Sequence, residues 1–169
     1  MGTGIKVIKQ GGRAEKMNYI KFSLLFILIH GVSYIVAGVL ALKISKDIYE
    51  SKNRHCNFLR DMSDPEESKH VQIMFLPAQI LRGLLMSIVL FPVLNTITGL
   101  PFALKFAFFG GLMFVYTHIA AVSPFIDNIE GFVYFKKDYL RKEHLLKFQM
   151  EMIIYSILFG SLMSVFTNS

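Results

Sequence analysis

The feature that most constrains this sequence is an apolar stretch at residues 71–96, which is long enough to cross a bilayer and carries an arginine near its middle. At about 1.5 Å per residue, a helix over this stretch would span roughly 40 Å, more than the roughly 30 Å hydrocarbon core of a membrane. Arg82 would cost about 2.5 to 3.5 kcal/mol if it faced lipid. Gln79, Arg82 and Gly83 are spaced three and four residues apart, so they share one helix face. We therefore expect that face to point towards protein.

Three more stretches have the length and apolar character of membrane-spanning helices, at residues 21–45, 102–122 and 148–166. The chain is 53% hydrophobic over its 169 residues, which is high for a soluble domain. These stretches predict an all-α, polytopic integral membrane protein built as a bundle of four transmembrane helices. Because the connection at residues 97–101 is short, the second and third helices are expected to be antiparallel neighbours.

The remaining segments are too polar to span a membrane. Residues 124–147 alternate aromatic and charged side chains, which predicts an interfacial segment between the third and fourth helices. Residues 1–20 combine four glycines with basic side chains, which predicts a mobile basic tail. The domain organisation is then a tail at residues 1–20 and a single four-helix transmembrane domain at residues 21–169.

Ionisable and polar residues are expected to meet inside the bundle. Counted at about 1.5 Å per residue from the side that carries the termini, Arg82, His118 and Glu151 each lie roughly 22 to 26 Å deep, with His30 at roughly 15 Å. Opposite charges at one depth can neutralise one another, which makes intramembrane charge tolerable. Arg82 and Glu151 are therefore predicted to share a site, either as a structural ion pair or as an anion-binding group. The full set of candidate polar residues is Gln79, Arg82, His118, Glu151, His30, Asp127 and Glu130.

Asp127 and Glu130 follow the third helix in a turn-like sequence, where they either cap the turn or form, with Asn128, a carboxylate pair for metal binding or acid–base work. Neither His30 nor His118 belongs to a paired-ligand motif, so no metal site and no cofactor is evident in the sequence.

Small residues predict where helices approach each other closely. Ser156, Gly160 and Ser164 are spaced by four residues and form a small-residue ridge on the fourth helix, and Gly38 offers a similar position on the first. These four positions are expected to pack against another helix, either within the chain or in a second copy.

Three classes of function remain open. The first is an oligomeric transporter or channel, in which copies assemble through the small-residue faces of the first and fourth helices around the Arg/His/Glu site. The second is a membrane-embedded enzyme that acts on a lipid or isoprenoid headgroup. The third is a non-catalytic subunit or scaffold of a membrane complex. Expected partners are membrane lipids and a second copy or a partner membrane subunit, while nucleic acid is excluded because the basic charge lies beside apolar segments.

Four spans place both termini on one side of the membrane and the two long connections on the other. Apart from Arg82, the Lys and Arg residues number six towards the terminal side and eleven towards the loop side. The positive-inside rule then predicts termini outside and both long loops in the cytoplasm.

Cys56, the only cysteine, lies in the first long loop and tests this topology. A membrane-impermeant maleimide should label Cys56 only after intact cells have been permeabilised, because the loop is predicted to be cytoplasmic. Labelling before permeabilisation, measured by a mass shift of the purified protein, would reverse the assignment.

Overall fold

The computed structural model describes residues 18–49, 59–121, 123, 125–129, 132 and 137–167. The predicted tail up to residue 17, Cys56 and Glu130 lie outside the described residues. The described elements are the helices α1 (Tyr19–Ile44), α2 (Lys46–Tyr49), α3 (Pro65–Val89), α4 (Leu94–Thr98), α5 (Phe102–Gly111), its π-helical continuation (Leu112–Ile119) and α6 (Lys142–Phe166), with 3₁₀ turns at Phe91–Val93 and Lys137–Tyr139.

Four helices are long and apolar enough to cross a membrane: α1, α3, α6 and the continuous stretch Phe102–Ile119 formed by α5 and the π-helix. No strand occurs in the part of the chain that the structure describes. The predicted all-α, four-span architecture is confirmed, and the protein is a small multi-pass membrane protein. Its orientation in the membrane stays a prediction.

The second span begins at Pro65, six residues before the apolar stretch, because the sequence there is well suited to starting a helix. The Oδ1 atom of Asp64 accepts hydrogen bonds from the backbone N–H groups of Glu66 at 2.9 Å and Glu67 at 3.0 Å. Pro65 occupies the first turn, where its missing N–H costs nothing. The two glutamates also lie favourably at the positive end of the helix dipole.

The same span ends at Val89 and not at residue 96, where a 3₁₀ turn at Phe91–Val93, which contains Pro92, leads into α4. Pro77, by contrast, lies inside α3, and the helix continues through it. The fourth span also begins earlier than predicted, at Lys142, so the last residues of the predicted interfacial segment belong to α6.

The helices do not pack in the order expected from the short second connection. α1 packs against α3 and α6, and α6 packs against α5, so the main contacts run α3–α1–α6–α5. The prediction that the second and third spans are close neighbours is wrong, because α3 and α5 do not pack extensively against each other. The connection between them fills the core instead, where Leu90, Leu94 and Ile97 join Phe22 and Phe26 in one buried cluster.

Two glycines set the closest approaches between helices. A Cβ atom on Gly160 would lie 3.0 Å from the backbone nitrogen of Gly110 and 3.0 Å from the carbonyl oxygen of Phe106, so α6 and α5 touch through their backbones here. A Cβ atom on Gly83 would lie 3.1 Å from the Cα of Ile27, which is the matching contact between α3 and α1. Close approach of this kind is typical of small residues in membrane helices.

The ridge of Ser156, Gly160 and Ser164 is buried. Gly160 contacts α5 within the chain, and a Cβ atom on Gly110 of α5 would lie 3.4 Å from the carbonyl oxygen of Ser156. The ridge is therefore covered by the chain's own α5 and does not offer a free surface to a second copy. Gly38 differs, because no atom lies within 4 Å of where its Cβ would be. Among the described residues none makes a close helix contact at Gly38, and packing there against another chain stays a prediction.

Replacing Gly160 with alanine should lower the free energy of unfolding by about 1 to 3 kcal/mol, because the added methyl group forces two backbones apart. Gly31→Ala is the matched control, since no atom lies within 4 Å of the position its Cβ would take. We expect that variant to be neutral or slightly stabilising, because alanine favours helices over glycine. Thermal unfolding in one detergent measures both changes, and equal midpoints for Gly160→Ala and the parent protein would contradict the prediction.

Candidate functional site

A buried histidine links all four spans. His30 of α1 is 0% exposed, and its Nδ1 atom lies 2.5 Å from the hydroxyl oxygen of Tyr155 on α6. Its Nε2 atom lies 3.0 Å from Oε1 of Gln79 on α3. The Tyr155 hydroxyl is also 3.2 Å from the sulfur of Met113 in the π-helix.

One tautomer satisfies both ring nitrogens of His30. Its Nε2–H donates to the Gln79 carbonyl oxygen, and its Nδ1 accepts the proton of the Tyr155 hydroxyl. Both ring nitrogens of His30 are therefore satisfied without water, as burial between helices requires. Gln79 lies on the helix face predicted to point inward, and the contact with His30 shows what that face meets.

Charged residues surround this hydrogen-bonded group. The charge of Arg82 acts on His30 and Tyr155, and the charges of Arg82 and Glu151 both act on Tyr34. The ring of Tyr34 packs against both, with its centroid 6.0 Å from that of His30 in a tilted contact and 5.8 Å from that of Tyr155 in an edge-to-face contact. Arg82 and Glu151 therefore both lie close enough to Tyr34 to act on it electrostatically. Among the described residues, no ion pair within 4.0 Å joins these two, and their pairing stays a prediction.

His118 belongs to a second, separate cluster. Its Nε2 atom lies 2.8 Å from Oδ2 of Asp127, which is 1% exposed. Gln149 of α6 donates from Nε2 to the backbone carbonyl of Asp127 at 2.6 Å and to Oδ2 at 3.1 Å. This cluster fastens the end of the π-helix and the following turn to α6. The predicted meeting of His118 with Arg82 and Glu151 is replaced, in the described contacts, by its pairing with Asp127.

Two contributors to these clusters were absent from the predicted set. Tyr155 lies four residues after Glu151, and that helical spacing from a suspected site residue could have identified it. Gln149 carries no such signal, because its partner Asp127 lies outside the helices and sequence spacing says nothing about its position.

A cleft of about 700 Å³ opens between α1 and α3 in the half of the bundle nearest the long connections. Its walls are largely apolar and come from Ile35, Val39 and Leu42 of α1 and Val71 of α3. Tyr34, Phe75 and Glu151 also line the cleft. Tyr34 therefore borders both the cleft and the buried group around His30.

The described residues were compared with the requirements of a metal site, and the chain with known proteins. Among the described residues, no group of three or more His, Cys, Asp or Glu side chains is arranged to hold a metal ion. Comparison of the chain with models of known protein families, with curated proteins and with solved structures finds no match.

Removing the Tyr155 hydroxyl should strand Nδ1 of His30, so Tyr155→Phe is expected to lower the free energy of unfolding by about 1 to 3 kcal/mol. In combination with His30→Leu the losses should not add, because the second change removes the stranded atom. Tyr116→Phe serves as the control, since Tyr116 is 75% exposed. Thermal unfolding of the four members of the cycle measures the coupling, and additive losses would show that the two side chains act independently.

Proposed function

We propose that this protein binds a long-chain membrane amphiphile in the cleft between α1 and α3. The observation that carries the proposal is the cleft itself, whose volume of about 700 Å³ lies within the range of about 300 to 1,000 Å³ that is typical of ligand pockets. Its apolar walls and the few polar groups among them match a molecule with a long apolar body and one polar end.

The cleft exists because α1 and α3 touch at one level and diverge at another. Gly83 brings the two backbones together beside Ile27, and Ser87 donates to Ser23 at 2.9 Å one turn further from the long connections. In the opposite direction, the space beside Gly38 is open. The two helices therefore separate towards the long connections, and the cleft lies in the gap.

The cleft communicates with the surface that faces lipid. Ile35, Val39 and Leu42 line it and are also 46%, 54% and 38% exposed. In a span that crosses a bilayer, exposed apolar side chains of this kind contact acyl chains. An amphiphile dissolved in the membrane could thus enter sideways, without crossing water.

This geometry favours the lipid-directed class of function over assembly into a channel. The small-residue ridge that an oligomeric channel was expected to use on the fourth span is covered by α5 within the chain. The described core between the spans is filled by aromatic and aliphatic side chains such as Phe26, Phe109 and Phe159. Binding of an amphiphile is also the first step of an enzyme acting on a lipid headgroup, so the proposal is compatible with that class.

Filling the cleft should abolish binding. Gly38 lines the cleft, and no atom of the described residues lies within 4 Å of a Cβ added there, so the ring of Gly38→Phe is expected to take up space in the cleft. Gly31→Phe is the matched control, since it has the same open space on α1 but does not line the cleft.

The measurement uses the protein in lipid nanodiscs with a long-chain alcohol that carries a photoreactive diazirine near its apolar end. After irradiation, mass spectrometry of peptides should locate the label on α1 and α3 in the parent protein and in Gly31→Phe. Gly38→Phe should lose most of that label. Equal labelling of all three proteins, or labelling spread evenly over the four spans, would overturn the proposal.

A further inference from the structure

The contacts between α1 and α3 follow one another turn by turn. Two antiparallel helices in contact bring a new pair of residues together at each turn, three or four residues further along both chains. The described pairs, taken in the direction of the long connections, are Ser23 with Ser87, Ile27 with Gly83, His30 with Gln79 and Tyr34 with Phe75. The same spacing places Gly38 opposite Val71 at the next turn, and both of these residues line the cleft.

The cleft opens where this series of contacts lacks a side chain. Gly38 has no side chain that could reach α3, and no atom of the described residues lies within 4 Å of a Cβ added there. One turn further inward, the rings of Tyr34 and Phe75 have centroids 5.6 Å apart at an interplanar angle of 51°. Aromatic rings in contact have centroids about 4.5 to 7 Å apart, so these two rings leave no room for a hydrocarbon chain between them. Among the described residues, none further inward on α1 or α3 lines the cleft.

We infer that Tyr34 and Phe75 stop the chain of the bound amphiphile, so that the cleft takes an apolar chain of about ten carbon atoms with its polar end outward. This inference rests on the proposed function, because it gives the length and the orientation of the ligand in the same cleft.

The length follows from the residues of α1 that line the cleft. Tyr34 is the innermost of them and Leu42 the outermost. The two are eight residues apart, which corresponds to about 12 Å at about 1.5 Å per residue. An extended hydrocarbon chain with bonds of about 1.5 Å advances about 1.25 Å per carbon atom, so about ten carbon atoms cover this distance. A longer chain has to leave the cleft on the side that faces lipid.

The two ends of the cleft favour an outward polar end. Tyr34 lies ten residues before Ile44, the last residue of α1, so the inner end is about 15 Å inside the span at about 1.5 Å per residue. A polar group moved to that depth loses its contact with water, which costs free energy. At the outer end, Arg60 is exposed and lines the cleft, where its N–H groups can donate to an oxygen of the ligand. Glu151 also lines the cleft, but it already has an interaction within the chain, and no group of the ligand is assigned to it.

The test maps the bound chain atom by atom in nanodiscs. Alcohols of about ten carbon atoms carry a diazirine next to the hydroxyl group, in the middle of the chain or at the apolar end. After irradiation, tandem mass spectrometry locates each label. We expect the diazirine next to the hydroxyl group to label residues around Leu42 and Met62, and the diazirine at the apolar end to label residues around Tyr34 and Phe75.

Two variants should move the label in opposite directions. In Phe75→Ala, an alcohol about four carbon atoms longer should place its apolar end about one turn further inward, around His30 and Gln79. In Val71→Phe, the new ring lies one turn outward from Phe75, so the label from the apolar end should move about one turn towards the long connections. Leu76→Ala is the matched control, because Leu76 is 57% exposed and does not line the cleft.

The outcomes separate this inference from the proposed function. Absence of label from α1 and α3 in the parent protein would remove both. Label on α1 and α3 whose position is independent of the diazirine position, or whose order along the helices is reversed, would overturn the inference alone. Unchanged label positions in Val71→Phe would also overturn it, and this variant provides the test by itself if Phe75→Ala does not fold. A shift in Leu76→Ala as large as that in Phe75→Ala would count equally against it.

Discussion

The hydrogen bonds of His30 are the interaction on which the arrangement of this bundle depends. Between membrane-spanning helices, lipid offers no hydrophobic force to drive packing, so shape and polar contacts choose the neighbours. His30 satisfies one ring nitrogen with Gln79 of α3 and the other with Tyr155 of α6. Both bonds can form only when α1 lies between these two helices. The position of α1 between α3 and α6 follows from this requirement.

Two glycines determine how closely neighbouring helices approach each other. Gly160 allows α6 to touch α5, and Gly83 allows α3 to touch α1, each at a single level along the helices. Away from Gly83 the helices α1 and α3 separate, because larger side chains such as Tyr34 and Phe75 stand between them. The cleft is therefore a consequence of one close contact and of the rigidity of two long helices.

Tyr34 lies between the hydrogen-bonded group around His30 and the proposed binding cleft. It lines the cleft, its ring contacts those of His30 and Tyr155, and the charges of Arg82 and Glu151 act on it. A ligand that contacts Tyr34 would thus touch the group that holds the helices together. Binding in the cleft is expected to stabilise the fold for this reason, since a ligand that binds only the folded state adds its binding free energy to stability.

Four spans, the helix start at Asp64 and the interruption at Pro92 follow from local rules, because length, hydropathy, capping and the missing N–H of proline act on neighbouring residues. His30, Gln79 and His118 could be named as site residues in the same way, since polar groups inside apolar stretches are conspicuous. Which side chain each of these residues contacts could not be derived from the sequence. Counting residues along a helix gives the depth of a side chain but not the direction of its neighbours, so the common depth of His118 and Arg82 does not reveal that His118 pairs with Asp127. Which helices adjoin α1, where Tyr155 meets His30 and where a cleft remains open depend on contacts between distant segments, and those contacts exist only in the packed bundle.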